Sequence, residues 1–219
     1  MLDALHVYDD REPKSAALNM AIDEALLVDT DAPILRFYLW RQPSLSFGYF
    51  GLYADVASQA AEREIVRRWT GGGIVAHGDD LTYSMIIPKA HSFFARSSVE
   101  IYAAVHDAIR GALEVNQIAA ALQDQAAPKV SEDCFANAVR ADVVSNGRKI
   151  AGAAHRRSRS GLLHQGSIQQ PGLPERFRTD FASTLCRHFA KRWLTPPLIE
   201  RATAIAAAKY GTTEWLIRR

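Results

Sequence analysis

The sequence lacks several features that mark whole classes of protein. It has only two cysteines, Cys134 and Cys186, in 219 residues, which is too few for the disulfide framework of a small secreted domain. Its charges nearly cancel, with 26 Lys and Arg against 24 Asp and Glu and a formal net charge of +2. This balance gives no reason to expect a nucleic acid or a membrane surface as the main partner.

Long apolar runs are also missing. No stretch reaches the roughly 18 apolar residues that a helix needs to span a bilayer. The N-terminal segment already holds Asp3, Asp9 and Asp10, a composition that fits neither a signal peptide nor an anchor. We therefore predict a reduced, soluble protein of the cytoplasm.

What is present is ordinary for a globular protein, since 48% of the residues are hydrophobic and 23% are charged. A chain of this length can bury a sizeable core as one large domain. It contains no internal repeat and no long linker. We therefore predict a single domain over residues 1–219.

Periodicity and turn residues predict both helices and strands. Helices are expected at residues 15–28, 54–64, 98–114, 177–185 and 198–209. Strands are expected twice within residues 34–49, at 65–69 and 82–87, within 119–132, and at 141–145, 149–154 and 162–169. The pair Asn146-Gly147 is a strong hairpin signal. Interleaved helices and hairpins predict an α+β fold, with a mixed, largely antiparallel sheet packed with helices.

A run of three glycines, Gly71 to Gly73, follows a predicted strand that contains Arg67 and Arg68. Glycines permit positive φ angles and leave backbone N–H groups free to hold a phosphate or carboxylate oxygen. Arginines would add charge-assisted contacts. No Gly-Lys-Ser/Thr follows, so the segment is not a Walker loop. A glycine-rich hairpin with solvated arginines explains a bare triple glycine at least as well.

Lys149 lies two residues past the tight Asn146-Gly147 turn, among small side chains. A lysine in this setting can approach an acyl or phosphate group as a compact cation. An exposed hairpin lysine remains the simpler explanation of this segment when it is taken alone.

Two further residues are candidates with weaker support. His164 lies beside a glycine on a predicted strand, where a histidine is more often structural than catalytic. Cys134 follows two acidic residues, Glu132 and Asp133, whose charges disfavour a thiolate. It would be a nucleophile only if another part of the fold supplied a cation, and is otherwise a small buried hydrophobic residue.

Taken in order along the chain, these segments resemble the lipoate–protein ligase and octanoyltransferase family, within the lipoate and biotin attachment superfamily. The resembling segments are residues 19–27, 35–38 and 46–49, the Arg67-Arg68-x-Thr70-Gly71-Gly72-Gly73 signature with His77, residues 81–84, residues 147–154 with Arg156 and Arg157, residues 163–167, and Lys209-Tyr210-Gly211 with Glu214-Trp215. The resemblance covers nearly the whole chain. It implies the class II synthetase-like catalytic domain of the lipoate and biotin ligases.

The resemblance also implies a site. In that family an invariant lysine, at the position of Lys149 here, holds the acyl carbonyl or acyl phosphate. The positions implied to bind the acyl group or phosphate are Arg68, Thr70, Gly71, Gly72, Gly73, His77, Gly152, Ala153, His164 and Gly166. No metal ligand is implied. Gly51 stands where many members have Gln or Asn, so contacts at the rim of the site are expected to differ.

Members of the family run one of two reactions. ATP-dependent ligases form an acyl adenylate and use ATP and Mg with lipoate, whereas cysteine-dependent transferases pass octanoate through a thioester and need no cofactor. Cys134-Phe135, 15 residues before Lys149, resembles the nucleophilic cysteine of the octanoyltransferases. The chain also stops at Arg219, without the C-terminal accessory domain of many ligases. We therefore favour a transferase with Cys134 and Lys149 as its catalytic residues.

The ligase alternative stays open. Ligase-like members also carry a Cys-Phe pair, and an accessory domain can be a separate chain. Under the ligase interpretation, Arg68, Lys149 and the glycine run would hold ATP phosphates and an acyl adenylate, and Cys134 would be structural.

The transferase interpretation implies two protein partners, octanoyl-acyl carrier protein as the donor and lipoyl-domain proteins as acceptors, namely E2 subunits and the glycine cleavage H protein. It implies neither a nucleic acid nor a membrane as partner. Biotin–protein ligase shares the implied fold but normally has a Gly-Arg-Gly-Arg-type segment, which this sequence lacks. A non-catalytic member that binds lipoyl domains or acyl groups is a further alternative, and the retention of Arg68, Lys149 and His164 together argues against it.

Overall fold

The computed structural model describes residues 2–126, 131 and 133–218. Its strands are β1 (His6–Lys14), β2 (Ile34–Trp40), β3 (Ser44–Phe47), β4 (Glu64–Arg67), β5 (Val75–His77), β6 (Leu81–Pro88), β7 (Ala121–Leu122), β8 (Val143–Ser145), β9 (Arg148–Arg157), β10 (Gly161–Ile168) and β11 (Ala190–Arg192). Its α-helices are α1 (Ala16–Asp29), α2 (Ser98–Val115), α3 (Phe177–Leu185), α4 (Pro196–Ile205) and α5 (Thr213–Ile217).

The large sheet has eight strands in the order β11-β1-β2-β6-β10-β9-β8-β7. Strand β1 pairs in parallel with β11 and β2, and the remaining neighbours pair antiparallel. The sheet is therefore mixed and largely antiparallel, as predicted. Its centre is β10, which lies between β6 and β9 in a continuous register.

A second, smaller sheet has three strands in the order β4-β3-β5. Strand β3 pairs in parallel with β4 and antiparallel with β5. The predicted pair of strands within residues 34–49 is confirmed, but the two strands belong to different sheets. The turn at Pro43 therefore sends the chain from the large sheet, which β2 joins, to the small one.

Helices cover both faces of the large sheet and divide the core in two. On one face, α2 and α3 pack Val105, Ile109 and Phe181 against Tyr83 and Met85. On the other face, α1 and α4 pack their own apolar residues, such as Ile22 and Leu198, against Ile86 and Leu163. Alternate residues of β6 and β10 thus enter different cores because side chains alternate across a strand.

The predicted helix starts are confirmed in detail. The Ser15 side chain accepts a hydrogen bond from the backbone of Leu18 and caps α1. Ser97 and Glu100 form a reciprocal capping box at the start of α2. Helix α3 has the predicted bounds, and the Asn146-Gly147 turn connects β8 to β9.

Three predicted elements differ from the structure. The helix expected at residues 54–64 is wrong, since that segment forms two single 3-10 turns, Tyr53–Asp55 and Ala57–Gln59. Only Val56 is buried there, so a helix would have no apolar face to pack. The strand expected within residues 119–132 is limited to the short β7, and residues 127–130 and 132 of that prediction lie outside the described residues. The helix expected at residues 198–209 is α4, which ends at Ile205 and continues as a π-helical turn, Ala206–Tyr210.

In the described part of the chain, no helix combines the length and the apolar character that crossing a membrane would require.

Candidate active site

A cavity with about 390 Å³ of empty space, partly open to solvent, lies between the two sheets. Its walls come from α1, β2, β3, β5, β6, β9, β10 and the segments that follow β4 and precede β8. The lining residues are Met20, Tyr38, Trp40, Ser46, Arg68, Gly72, Val75, His77, Thr82, Cys134, Gly152, Ala153, Ala154, Gln165, Gly166 and Ser167.

Cys134 and Lys149 meet at this cavity. Lys149 Nζ lies 3.5 Å from Cys134 Sγ and donates to the Cys134 carbonyl oxygen at 2.8 Å. It also donates to the carbonyl of Asn137 at 3.3 Å. The lysine therefore contacts the thiol and anchors the backbone that carries it.

A buried carboxylate holds Lys149 in place. Asp142 Oδ2 lies 2.8 Å from Lys149 Nζ, and both side chains are almost fully buried. Asp142 also accepts hydrogen bonds from the Tyr102 hydroxyl at 2.5 Å and from the Val139 backbone at 2.7 Å. One carboxylate therefore fixes the lysine and the end of the Cys134 segment.

Local backbone geometry explains how the lysine reaches this position. Asn146 and Gly147 have φ angles of 49° and 73°, a combination that makes a tight hairpin turn. Two residues later Lys149 points inward from β9. Gly152 lies beneath it, and a Cβ at that position would collide with the lysine Cε and Nζ. Only glycine leaves the lysine this path.

Arg68 brings a second cation to the cavity. It is buried and donates to Ser46 Oγ at 2.7 Å. It also donates to the carbonyls of Gly71 and Gly73 at 3.0 and 2.8 Å. Among the described residues it has no carboxylate partner, and burial lowers the pKa of its guanidinium. A buried cation without a counter-ion favours an anion beside it.

Arg67 takes a different role from its neighbour. It donates to the carbonyls of Tyr49 and Gly51 at 2.8 and 2.7 Å and to the carbonyls of Leu216 and Arg218 near the end of the chain. It therefore holds the last helix against the small sheet rather than facing the cavity.

His77 lines the cavity and stands in a hydrogen-bonded row. Its Nε2 lies 2.6 Å from Ser46 Oγ, and its Nδ1 lies 2.9 Å from Asp80 Oδ2. Asp80 also accepts from the hydroxyls of Thr82 and Ser167 at 2.8 and 2.6 Å. Ser46 and Asp80 were not among the predicted residues, because a single serine or aspartate in this sequence carries no local signal.

Thr70 supports the glycine run from behind. Its hydroxyl donates to Gln165 Oε1 at 2.9 Å, and Gln165 Nε2 donates to Asp23 Oδ2 at 2.9 Å. The glycine run is thus tied to α1 through β10. Gln165 was also missed, although it directly follows the predicted His164.

His164 does not line the cavity. It is fully buried on the opposite face of the sheet, where its Nε2 lies 3.1 Å from the Tyr83 hydroxyl. Its ring lies 5.7 Å from that of Tyr102 and 5.8 Å from that of His106. Burial is the main cause that lowers the pKa of His164 well below its ordinary value.

The structure brings most of the predicted positions together. Cavity-lining positions among them are Cys134, Arg68, Gly72, His77, Gly152, Ala153 and Gly166, while Lys149 contacts Cys134 directly. Gly71 and Gly73 flank Gly72 and bind Arg68, and Thr70 lies just behind. Glu132, the acidic neighbour invoked for Cys134, lies outside the described residues. In the ranges that are described, no group of three His, Cys, Asp or Glu side chains is placed to hold a metal ion.

Comparison with protein families finds one matching model, the lipoyl protein ligase A/B catalytic domain, over residues 15–172. A similar curated protein is octanoyltransferase LipM of Oceanobacillus iheyensis, which is 37% identical over 171 residues. The match covers 73% of this chain and 62% of that protein. The chain therefore spans about three fifths of the length of this curated relative.

Two solved structures share the fold. Lipoate-protein ligase A bound with ATP superposes with a TM-score of 0.75 at 20% identity, over 99% of both chains. A bipartite lipoate protein ligase of Thermoplasma acidophilum, described with its E2 lipoyl domain, superposes with a TM-score of 0.69 at 21% identity, over 100% of this chain and 99% of the other. These matches confirm the predicted α+β, class II synthetase-like fold.

Proposed function

We propose that this chain, which belongs to the lipoyl protein ligase A/B catalytic domain family, transfers an octanoyl or lipoyl group through a Cys134 thioester to a lysine of a lipoyl-domain protein. The observation that carries the proposal is the 3.5 Å contact between Cys134 Sγ and Lys149 Nζ at the wall of the cavity. The similarity to octanoyltransferase LipM supports the same activity.

The first step is attack by the Cys134 thiolate on the carbonyl carbon of an acyl thioester. The new bond joins the acyl carbon to Cys134, and the bond to the carrier's sulfur breaks. The proton that leaves Cys134 ends on the carrier's thiol. Lys149 stabilises the thiolate through its positive charge, and Arg68 adds a second buried positive charge at the same cavity.

The second step passes the acyl group to the acceptor. A neutral lysine amine attacks the Cys134 thioester, an amide forms, and the Cys134 sulfur leaves as a thiolate. Lys149 and Arg68 are placed to balance the negative charge that develops in both steps. Asp142 holds the Lys149 side chain beside the thiol through an ion pair at 2.8 Å.

The same proposal covers the partners and the setting. The donor is octanoyl-acyl carrier protein, and the acceptors are lipoyl domains of E2 subunits and the glycine cleavage H protein. A lipoate ligase that shares this fold is described with an E2 lipoyl domain, which supports the acceptor class. We place the reaction in the cytoplasm, within one catalytic domain over residues 1–219, without a cofactor and without a nucleic acid or a membrane as partner.

An ATP-dependent ligase is the second candidate, and one observation favours it. Arg68 is buried without a carboxylate partner among the described residues, and such a cation suits the phosphate of an acyl adenylate as well as a thiolate. In that reaction ATP and Mg would activate lipoate, and Cys134 would take no part in catalysis.

Intact-protein mass spectrometry after incubation with octanoyl-acyl carrier protein distinguishes the transferase from the ligase. The transferase predicts a mass increase of one octanoyl group that is absent in Cys134→Ala. The matched control is Cys186→Ala, because Cys186 is buried away from the cavity and its loss should leave the mass increase intact. An unmodified protein that loads a lipoyl domain only when ATP and lipoate are present would establish the ligase instead.

A further inference from the structure

Ser46, His77 and Asp80 form a row of hydrogen bonds beside Cys134 that the two transfer steps leave without a role. The distances are 2.6 Å from Ser46 Oγ to His77 Nε2 and 2.9 Å from His77 Nδ1 to Asp80 Oδ2. An ionised carboxylate only accepts hydrogen bonds, so the ring proton lies on Nδ1. The lone pair of Nε2 is then directed at the serine hydroxyl.

The contacts of Asp80 favour its ionised form. Burial by itself would raise the pKa of this carboxyl, but His77 beside it and the hydroxyls of Ser167 and Thr82 together hold that pKa below its ordinary value. A carboxylate in this state stabilises a positive charge on the adjacent imidazole.

The imidazole is also held in orientation. The indole of Trp40 stacks on His77 with ring centroids 4.1 Å apart and an angle of 18° between planes. Trp40 Nε1 in turn donates to Thr82 Oγ1 at 2.7 Å. The ring is therefore fixed both in its plane and at Nδ1.

The row opens on the same cavity as the thiol. Ser46 is paired in register with Val75, and Cys134 N donates to the carbonyl of the preceding residue, Ile74, at 3.0 Å. Ser46 and Cys134 therefore both lie next to the backbone of Ile74 and Val75, and both line the cavity. The serine oxygen accepts from Arg68 and keeps one further acceptor position.

The second transfer step requires a proton acceptor that the thiol and lysine do not supply. A protein lysine with a pKa near 10.4 arrives as an ammonium ion and must lose a proton before it attacks. Lys149 is itself an ammonium with donors only. Asp142 already accepts from Lys149, Tyr102 and Val139.

On the basis of the proposed acyl transfer, we propose that Ser46, His77 and Asp80 form the proton relay that deprotonates the acceptor lysine. The ammonium gives a proton to Ser46 Oγ while the serine proton moves to His77 Nε2, so the serine ends unchanged. Asp80 stabilises the resulting imidazolium. The neutral amine attacks the Cys134 thioester, the second amine proton ends on the Cys134 thiolate, and the imidazolium returns its proton to solvent. Ser46 touches the substrate, and His77 and Asp80 are positioning residues that act through it.

A two-stage single-turnover experiment tests the relay with Asp80→Asn and, because Asp80 has several partners, independently with Ser46→Ala. The Cys134 octanoyl thioester is first formed from octanoyl-acyl carrier protein and followed by mass spectrometry. It is then challenged with either a lipoyl domain or hydroxylamine, an amine that is unprotonated at neutral pH. Matched controls are Asp79→Asn, next to Asp80 and exposed, and Ser44→Ala, a buried serine of the same strand.

We expect thioester formation and hydroxylamine release in Asp80→Asn to stay within about twofold of the unmodified chain. Ser46→Ala also removes a hydrogen-bond partner of Arg68, so its readout is the rate of transfer to the lipoyl domain relative to the rate of hydroxylamine release. Transfer to the lipoyl domain should slow by about 10²-fold, a usual contribution of general base catalysis. Equal slowing with hydroxylamine, or unchanged transfer to the lipoyl domain, overturns the relay while leaving the acyl transfer in place. If the unmodified chain forms no Cys134 thioester, the proposed function fails and the relay with it.

Discussion

The two faces of strand β10 carry polar side chains of opposite character. Toward α1 and the small sheet, Gln165 and Ser167 bind the buried carboxylates of Asp23 and Asp80 and line the cavity. Toward α2, His164 lies among aromatic rings and reaches no charged group. Adjacent residues of one strand therefore serve a charged site on one side and a neutral core on the other.

The face of β10 toward α2 is the neutral face. Ionising its buried side chains costs more free energy than ionising those of the opposite face, the cavity face. Burial lowers the pKa of His106 to about 4 and that of His164 well below the ordinary value. Among the described residues, His106 Nε2, His155 Nδ1 and His164 Nδ1 have no hydrogen-bond partner. Burial therefore disfavours the charged form of these imidazoles, whereas Lys149, Arg68 and the carboxylates of Asp23, Asp80 and Asp142 lie on the side of the cavity.

The difference shows which buried polar residues belong to a site. On the cavity face Lys149 pairs with Asp142 and contacts the Cys134 thiol, and Arg68 is buried without a carboxylate partner among the described residues. These charges are organised around a place for a ligand. On the α2 face His164 and His106 lie between aromatic rings, and the Tyr102 hydroxyl donates to Asp142. Burial of a polar residue is thus a weak sign of function unless its partners are charged.

The largest expected effect is on the cavity face. Replacing Lys149→Met removes the cation beside Cys134, and we expect the rate of Cys134 acylation to fall by about 10²- to 10³-fold, as for the loss of one group that stabilises transition-state charge. Mass spectrometry of the octanoyl adduct in samples quenched at successive times measures this rate.

Stability must be separated from activity in that variant, since Lys149→Met leaves Asp142 buried without its counter-ion. The double variant Lys149→Met, Asp142→Asn removes both charges and should recover most of the lost unfolding free energy in urea titrations. Its acylation rate should remain low. Recovery of the rate in the double variant would mean that the lysine charge is not required.

The next largest effect is a loss of folding stability at acid pH, and it comes from the buried histidines of the neutral face. The pKa of His106 is about 4 in the folded protein and about 6.5 when unfolded, so the unfolded chain binds the proton first. The stability that depends on the neutral ring is present above pH 6.5 and is lost as the pH falls toward 4. The full contribution is about 3 kcal/mol, and His164 and His155 shift stability in the same direction.

Urea titrations between pH 7.5 and 4.5 measure this loss. In His106→Gln, which keeps a donor near the Ala141 carbonyl that His106 Nδ1 contacts at 2.7 Å, the decline should be shallower by up to about 3 kcal/mol. The matched control is His188→Gln, at an exposed histidine, which should follow the unmodified chain. An unchanged slope in His106→Gln would show that the α2 face already contains a charged imidazole.

The sequence indicated the cavity face in outline because its motifs are local. Capping serines, the Asn146-Gly147 turn and the glycine run each fix backbone geometry within a few residues, and in the structure Arg68 lines the cavity and Lys149 contacts Cys134. Asp142, Ser46 and Asp80 could not be predicted, since they join the site through Lys149, His77 and Ser167, which lie 7, 31 and 87 positions away along the chain. The helix predicted at residues 54–64 was wrong because this polar segment has no apolar face that could pack against the rest of the fold.

The smallest expected effect decides whether His164 belongs to the site. His164→Gln keeps a polar group near the Tyr83 hydroxyl, and we expect acylation and transfer rates within about twofold of the unmodified chain and a change in unfolding free energy of about 1 kcal/mol. The contrasting variant is Gln165→Leu, which removes the hydrogen-bond partner of the Thr70 hydroxyl and the donor to Asp23 Oδ2. It should cost about 1–3 kcal/mol and loosen the glycine run at the cavity.

Transfer kinetics and urea titrations on both variants therefore test the two faces directly. If the charged and neutral faces are as separate as the contacts indicate, activity responds to Gln165 and hardly to His164. A tenfold loss of transfer in His164→Gln at unchanged stability would mean that the imidazole acts across the sheet, through Tyr102, which joins Asp142 and the Ala153 backbone by hydrogen bonds. The family resemblance that placed His164 at the pocket would then be right, and the division of β10 into a site face and a core face would be wrong.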